Sequence, residues 1–517
     1  MSRLERLPRW ALPVLLFAVA ALLSGVTVLN GIQPNDEGLM LQAARRIAAG
    51  QVPYSDFWWY YPPGQPYLLG GVWKLFGPSL LEWRVVRVLS DATVAVLAYE
   101  LARRRAGVPL ALAAWLAAAC AMAFPTGPHP FPIALALALG ALLSFERRPL
   151  LAGVLAGACA AWRIEFAGYL AVAVALAHLL AVDPLRERVL RVARFAGGAV
   201  VAAVVLFGPV VAAAGLSRSW EMLVRYPLVD FQKYQSLPFP YRFQGTVDVE
   251  RVVHFYLPLA LLVGLAGSLA WLAARFRRDD AAPVAVGVFA IGMAHYLLVR
   301  TDLFHTAPLA VLVAVLAAWA IADVSANRRA AAGRGPALRR LVAAAGAAGA
   351  ALGLVWALAE GIDRRVLGLE EHTVALHLPI ADGVRTRPLR AAALTRAVNY
   401  VRRRVPSGQP IYVTGARADL VTSGNPLFYV LAGRRNATRY DIAAPGVVTS
   451  APVQREIVRD LRRTRPRLIL RWTAPVTALP EPNRAGRSSG VRILDDYLAR
   501  EYHLERQFGY YSLLAPG

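Results

Sequence analysis

The sequence predicts a polytopic all-α membrane protein of about eleven transmembrane helices, closed by a small C-terminal α/β domain. Three observations carry this. First, 57% of the 517 residues are hydrophobic, and the mean hydropathy is +0.44, with the apolar residues gathered in long charge-poor runs. Second, arginines fill every second loop between those runs. Third, from about residue 360 the chain turns polar and its long apolar runs stop.

The expected spans are roughly 10–30, 79–102, 107–124, 131–145, 150–163, 166–182, 195–215, 252–274, 282–299, 304–323 and 339–359. Several fall short of the ~20 residues that a straight crossing needs. Span one is too long for a signal-peptide core and lacks a following small-residue cleavage site, so it is expected to be retained. The segment 66–76 is apolar, short and glycine-rich, which suits an interfacial helix.

Arginine clusters orient these spans. Arg3, Arg6 and Arg9 precede the first, Arg103–Arg105 follow the second, and Arg147 and Arg148 follow the fourth. Arg186 to Arg194, Arg275 to Arg278 and Arg328 to Arg340 continue the alternation. The positive-inside rule makes those loops cytoplasmic, with the N-terminus inside and the C-terminal domain outside, in the plasma (inner) membrane. Much of the basic charge lies in short loops between spans, where it sets topology, and nucleic acid is not an expected partner. Cys120 and Cys159 both lie in apolar spans, so no disulfide framework, metal cluster or thiol chemistry follows from them.

Beyond residue 360, segment 386–404 has helical periodicity, and Ile411–Thr414 and Leu468–Leu470 read as short buried strands. Helical patterns at 452–463 and 491–501 surround the second strand, and Tyr510–Leu514 suits a last one. The expected domains are therefore 1–359, with a first outer loop at 31–78, and 360–517.

The unusual sequence gathers on the outer side: Asn35-Asp36-Glu37-Gly38, the run Asp56 to Gly64, Pro125 to Pro130, Arg163-Ile164-Glu165, and Arg300 to His305. Carboxylates beside a bilayer are expensive. Asp36 suits a general base toward an acceptor hydroxyl, because partial burial raises a carboxylate toward the working range. Equally, Asp36 suits a helix cap. Glu37 suits either a hydrogen bond to the acceptor or a role in orienting the loop. Arg300 and His305 can hold a lipid-linked phosphate with Asp302 fixing them, or form an ordinary interfacial turn with a snorkelling arginine. Arg163 and Glu165 suit substrate contact or an internal salt bridge closing a tight turn. The aromatic run Trp58 to Tyr61 fits an interfacial belt or a sugar platform, and Pro62-Pro63-Gly64 gives its loop a set shape.

With these residues in view, the chain resembles the glycosyltransferase C superfamily, which includes protein O-mannosyltransferases and aminoarabinose transferases. The resemblance rests on Asp36-Glu37, the amphipathic segment Leu39 to Gly50, Pro53-Tyr54-Ser55-Asp56-Phe57, Tyr61-Pro62-Pro63-Gly64-Gln65-Pro66 and Leu75-Phe76-Gly77-Pro78-Ser79-Leu80. It covers residues 10–105; the later spans match in number and hydrophobicity, and Arg300-Asp302-His305 is similar to a recurrent element of bacterial members. It implies transfer of a sugar from a polyprenyl-phosphate donor to an envelope glycan, lipid or protein on the outer face, with Asp36 as base. Where the aminoarabinose-transferase branch carries a phosphate-binding lysine, Tyr61 stands, which shifts that role toward Arg300, His305 or Arg163. No cofactor is specified; family members differ on metal use, and an Asp-Glu pair alone leaves a divalent metal open. The alternative class, a transporter or lipid flippase without transferase activity, should instead place its polar residues at the midplane on broken helices.

Overall fold

The computed structural model describes residues 8, 10–123, 129–237, 281–300, 303–330 and 371–517, with isolated positions 256, 259, 260 and 263. Apolar sequence on all sides of a segment makes a helix buried in protein or lipid, and the chain up to residue 330 is mostly such helices. They are α1 (Ala11–Gly25), α2 (Asp36–Ala48), α3 (Gly64–Phe76), α4 (Leu80–Arg103), α5 (Val108–Met122), α6 (Phe131–Ser144), α7 (Pro149–Ala160), α8 (Ile164–Leu180) and α9 (Leu185–Ala214). Ala282–Val299 and Leu303–Ala330 follow. Proline in the first turn starts α5, α6 and α7, where its missing N–H costs nothing.

Nine of the eleven expected spans coincide with described helices; 252–274 is described at four positions only, and 339–359 lies outside the described residues. Leu185–Ala214, Ala282–Val299 and His305–Asp323 are long and apolar enough to cross a bilayer, while α1, α5, α6, α7 and α8 are shorter apolar helices. Helix α7 meets α9 backbone to backbone. A Cβ at Gly153 would strike the Phe195 carbonyl, and one at Gly157 the Ala199 carbonyl. A small residue every fourth position is what permits that approach.

The expected C-terminal α/β unit is present. A five-stranded sheet runs in the order β4-β3-β5-β7-β6, with β3 (Pro410–Thr414), β4 (Arg435–Asn436), β5 (Ile469–Trp472), β6 (Tyr502–Phe508) and β7 (Tyr511–Pro516). A separate antiparallel pair joins β1 (Val374–Ala375) and β2 (Arg385–Thr386). Strands β4 and β5 are parallel to β3, and β7 returns antiparallel to β5 and β6. Helices Pro388–Arg404, Ala451–Thr464 and Ile493–Glu501 fall where helical periodicity predicts them. In the second, Gln454, Ile457, Val458 and Leu461 are buried, one face at helical spacing.

The loop 31–78 is not separate from this unit. Tyr54, Phe57 and Trp59 share one hydrophobic core with Leu376, Leu394, Ile411 and Phe428. The Arg46 Nε donates to Asp441 Oδ2 at 2.5 Å, and both side chains are buried. Backbone bonds run from Leu427 N to Pro34 O (3.2 Å) and from Trp58 N to Arg439 O (2.9 Å). A Cβ on Gly38 would collide with the Leu427 backbone. The proposed boundary at 359/360 lies outside the described residues.

Candidate active site

Asp36 opens α2. Asn35 occupies the cap position without a side-chain capping bond, and Asp36 sits in the first helical turn, where negative charge meets the helix dipole favourably. Asp36 is exposed. Its Oδ1 accepts from Asn35 Nδ2 at 2.9 Å, and Asn35 Oδ1 in turn accepts from Gly424 N at 3.1 Å. Asp36 is thus the first residue of the helix, and the cap position that the alternative gave it belongs to Asn35. Glu37 is 1% exposed. Both its oxygens accept from Arg84, Oε1 from Nε at 2.7 Å and Oε2 from Nη2 at 2.9 Å. Of the two roles open to Glu37, this geometry matches orienting the loop.

Tyr54 lies in the left-handed region at φ 69°, costly for a bulky residue. Burial and a 2.8 Å bond from its hydroxyl to the Tyr61 carbonyl hold it there, so the strain sets where Tyr61 stands. The Tyr60 and Tyr61 hydroxyls are 2.8 Å apart, and Tyr226 packs on Tyr60 with ring centres 5.1 Å apart. Burial raises the Tyr61 hydroxyl above its usual range; Arg163 and Arg300 pull it down and Asp36 pushes it up. Tyr60 is raised too, again by burial first. Both remain hydrogen-bond donors at neutral pH.

Arg163 leads into α8. Its guanidinium lies 5.4 Å from the Tyr61 ring centre and 5.6 Å from that of Tyr296. Nη1 donates to Glu165 Oε1 at 3.2 Å and Nη2 to the Tyr296 hydroxyl at 3.3 Å. The internal salt bridge thus exists, and the same arginine faces Tyr61. Its Nε is buried with no hydrogen-bond partner among the described residues, an arrangement that favours an incoming anion. His305 stacks beside Tyr296 with ring centres 4.7 Å apart. Asp302 lies outside the described residues.

Arg300 is turned toward the C-terminal domain. Nη2 donates to Glu481 Oε1 at 3.0 Å, and Nη1 to the Gln235 carbonyl at 2.7 Å. Beside it opens a cleft of ≈ 470 Å³ bordered by Lys233, Ser236, Leu298, Val299, Pro482 and Asn483. The charges of Asp36, Arg163 and Arg300 all act on Tyr61, and those of Asp36, Glu37 and Arg163 on His129.

Sequence reasoning named neither Arg84 nor His129 as site residues. His129 is partly buried, and burial lowers its pKa to about 4; Asp36 and Glu37 oppose that shift, while Arg163 and Arg87 add to it. Helix α4 also carries buried charge along its length, beyond the helix ends where polar residues were expected. Arg87 and Asp91 are buried, and Ser24 Oγ donates to Asp91 Oδ2 at 2.7 Å. Their helical spacing was the available signal, Arg87 three residues after Arg84 and Asp91 four after Arg87. Among the described residues, no three His, Cys, Asp or Glu side chains gather as a metal site.

No protein-family model and no curated protein sequence matches the chain. Solved structures do. ArnT from Cupriavidus metallidurans, bound to undecaprenyl phosphate, aligns over 98% of this chain and 98% of that one, with TM-score 0.53 and 15% identity. The archaeal oligosaccharyltransferase AglB from Archaeoglobus fulgidus, in complex with an inhibitory peptide and a dolichol-phosphate, aligns over 90% of this chain and 69% of that one, with TM-score 0.51 and 12% identity. At such identity the likeness is one of fold.

Proposed function

We propose, from the glycosyltransferase C fold that this membrane protein shares with both structures, that the chain transfers a sugar from a polyprenyl-phosphate donor to an envelope glycan, lipid or protein. Asp36 is the base. It takes the proton of an acceptor hydroxyl as that oxygen attacks the sugar's anomeric carbon, and the polyprenyl phosphate departs with the bonding pair. Glu37, clamped by Arg84, holds the loop that carries Asp36. Tyr60 and Tyr61 supply protonated hydroxyls beside the reacting groups. Arg163, with Arg300 and His305 nearby, balances the charge of the phosphate.

One observation supports this reading above the others. An exposed carboxylate at a helix start and a partly buried arginine, whose Nε–H has no partner among the described residues, both act on the Tyr61 hydroxyl. A base and an anion-binding cation acting on one site are what sugar transfer from a phosphate requires.

The site faces the outside of the plasma membrane in this reading, because the arginine-rich loops lie on the other side. A reporter fused after residue 371 should be active only outside the cytoplasm, and one fused after Arg105 only inside. For the chemistry, the test uses the purified protein with the lipid-linked sugar that accumulates when the gene is deleted. Turnover by the wild type and its loss in Asp36→Asn is the expected result. No accumulating lipid-linked sugar, and no turnover of any, would sink the transferase reading.

A further inference from the structure

We propose that Glu481 is a counter-anion latch: it holds Arg300 until the phosphate of a polyprenyl-linked lipid, arriving over the adjoining cleft, takes its place. This rests on the transferase reading and adds to it how the donor is admitted.

Glu481 comes from the opposite end of the sequence, on the turn that follows β5. It donates nothing and accepts twice from Arg300, Oε1 at 3.0 Å and Oε2 at 3.5 Å. Its turn is built rather than loose. Asn483 Nδ2 donates to Glu481 Oε2 at 2.9 Å, Asn483 Oδ1 accepts from Ala485 N at 2.7 Å, and Glu481 N donates to Ala485 O at 3.2 Å. The turn leans on the loop after β3, where Thr422 Oγ1 donates to Leu479 O at 2.6 Å. The carboxylate is therefore presented to Arg300 by a preformed element.

Exposure separates this pair from Arg46–Asp441, the pair that joins the first loop to the C-terminal unit. Arg46–Asp441 leaves 8% and 3% of the side chains in water, whereas Arg300–Glu481 leaves 23% of each. A buried pair is costly to break, but a pair that water already reaches is held weakly. A phosphate offers Arg300 the same fork geometry as a carboxylate with more charge, so exchange favours the phosphate. The cleft beside the pair suits the approach. Lys233 and Asn483 border it on polar ground, and Leu298 and Val299, at the end of an apolar helix, border it on lipid-like ground. An anionic head on a polyprenyl tail matches both kinds of lining.

The test is binding of undecaprenyl phosphate to the full-length protein in nanodiscs, with wild type, Glu481→Gln, Arg300→Ala and the double variant. Removing the competing charge should lower the Kd about three- to tenfold. In the Arg300→Ala background the same change should have no effect. Asn483→Ala, which frees Glu481 from its turn, should give a smaller gain in the same direction. A second arm replaces the ligand with phosphatidylglycerol, which should not show the gain; an equal gain overturns the polyprenyl assignment. Unchanged or weaker binding by Glu481→Gln and Asn483→Ala, in variants that melt as the wild type does, overturns the latch alone. Failure of the wild type to bind undecaprenyl phosphate at all overturns the latch and the transferase reading together.

Discussion

Arg84 holds both oxygens of Glu37, and it also donates to the carbonyls of Val28 and Gly31 at 2.9 and 2.8 Å. One guanidinium thus ties the end of the first span to the start of α2. Two adjacent carboxylates receive opposite fates: Glu37 is sealed at 1% exposure, while Asp36 faces outward. Glu37→Ala should destabilise the protein by about 3–5 kcal/mol, because it leaves Arg84 buried and unpaired. Asp36→Asn should change stability by only about 0.5 kcal/mol, yet cost on the order of 10²–10⁴-fold in turnover. Thermal unfolding and turnover, measured on both variants, separate the roles. A Glu37→Gln protein that melts normally but turns nothing over would move the chemistry onto Glu37.

Gly38 lets α2 press against the C-terminal unit. A Cβ there meets the backbone of Leu427, which has no flexible end to swing aside. Gly38→Ala should therefore cost about 1–3 kcal/mol as overpacking and make the C-terminal unit easier to cleave by protease. Gly71, on neighbouring α3, has nothing within 4 Å of its Cβ position. Gly71→Ala should be neutral or stabilise by up to ~1 kcal/mol through helix propensity. Equal melting temperatures for the two variants would disprove the close contact.

His129 gives the site a pH signature. Burial lowers its pKa from 6.5 to about 4 in the folded protein, with Asp36 and Glu37 opposing and Arg163 and Arg87 assisting. Between those values the unfolded chain binds a proton that the folded one does not. Its contribution to stability is therefore complete above about pH 6.5 and is lost as the pH falls toward about 4. His129→Gln should flatten the acid side of the melting-temperature curve in that window. Superimposable curves would show that His129 titrates normally.

What could be read in advance follows the range of the physics involved. Apolar runs and periodicity are local, so nine of the expected spans, as helices, and the helices Pro388–Arg404 and Ala451–Thr464 were legible. Buried parallel strands such as β3 and β5 are short apolar runs and were legible too. Strand β6 was missed because Tyr502–Phe508 is mostly exposed and polar, an edge strand without alternation. At the site, Asp36, Glu37, Tyr61 and Arg163 stood out as costly residues in an apolar chain. Arg84, Glu481 and Asp441 did not, because each acquires its meaning from a partner tens to hundreds of residues away. Arg300 was read as a phosphate ligand from its neighbours in sequence, and its carboxylate partner comes from the far end of the chain.

The donor phosphate distinguishes the two arginines. Arg163 lies close to both the Tyr61 and Tyr296 rings, and its buried Nε–H has no partner among the described residues. Arg300 already holds Glu481 and the Gln235 carbonyl. An anion gains more from the first, since it satisfies a donor that is otherwise stranded, whereas at the second it must displace a carboxylate. Arg163→Ala should raise the donor half-saturation at least tenfold, as a charge-assisted contact of about 1.5–3 kcal/mol implies. Arg163→Lys should not restore it, because an ammonium lacks the flat fork that lies against the two rings. Arg300→Ala should act in the same direction by a smaller factor, and His305→Ala by less again. The measurement is a donor titration at saturating acceptor. If Arg163→Lys matches the wild type, only charge matters at this position; if Arg163→Ala does, the phosphate is bound by other residues.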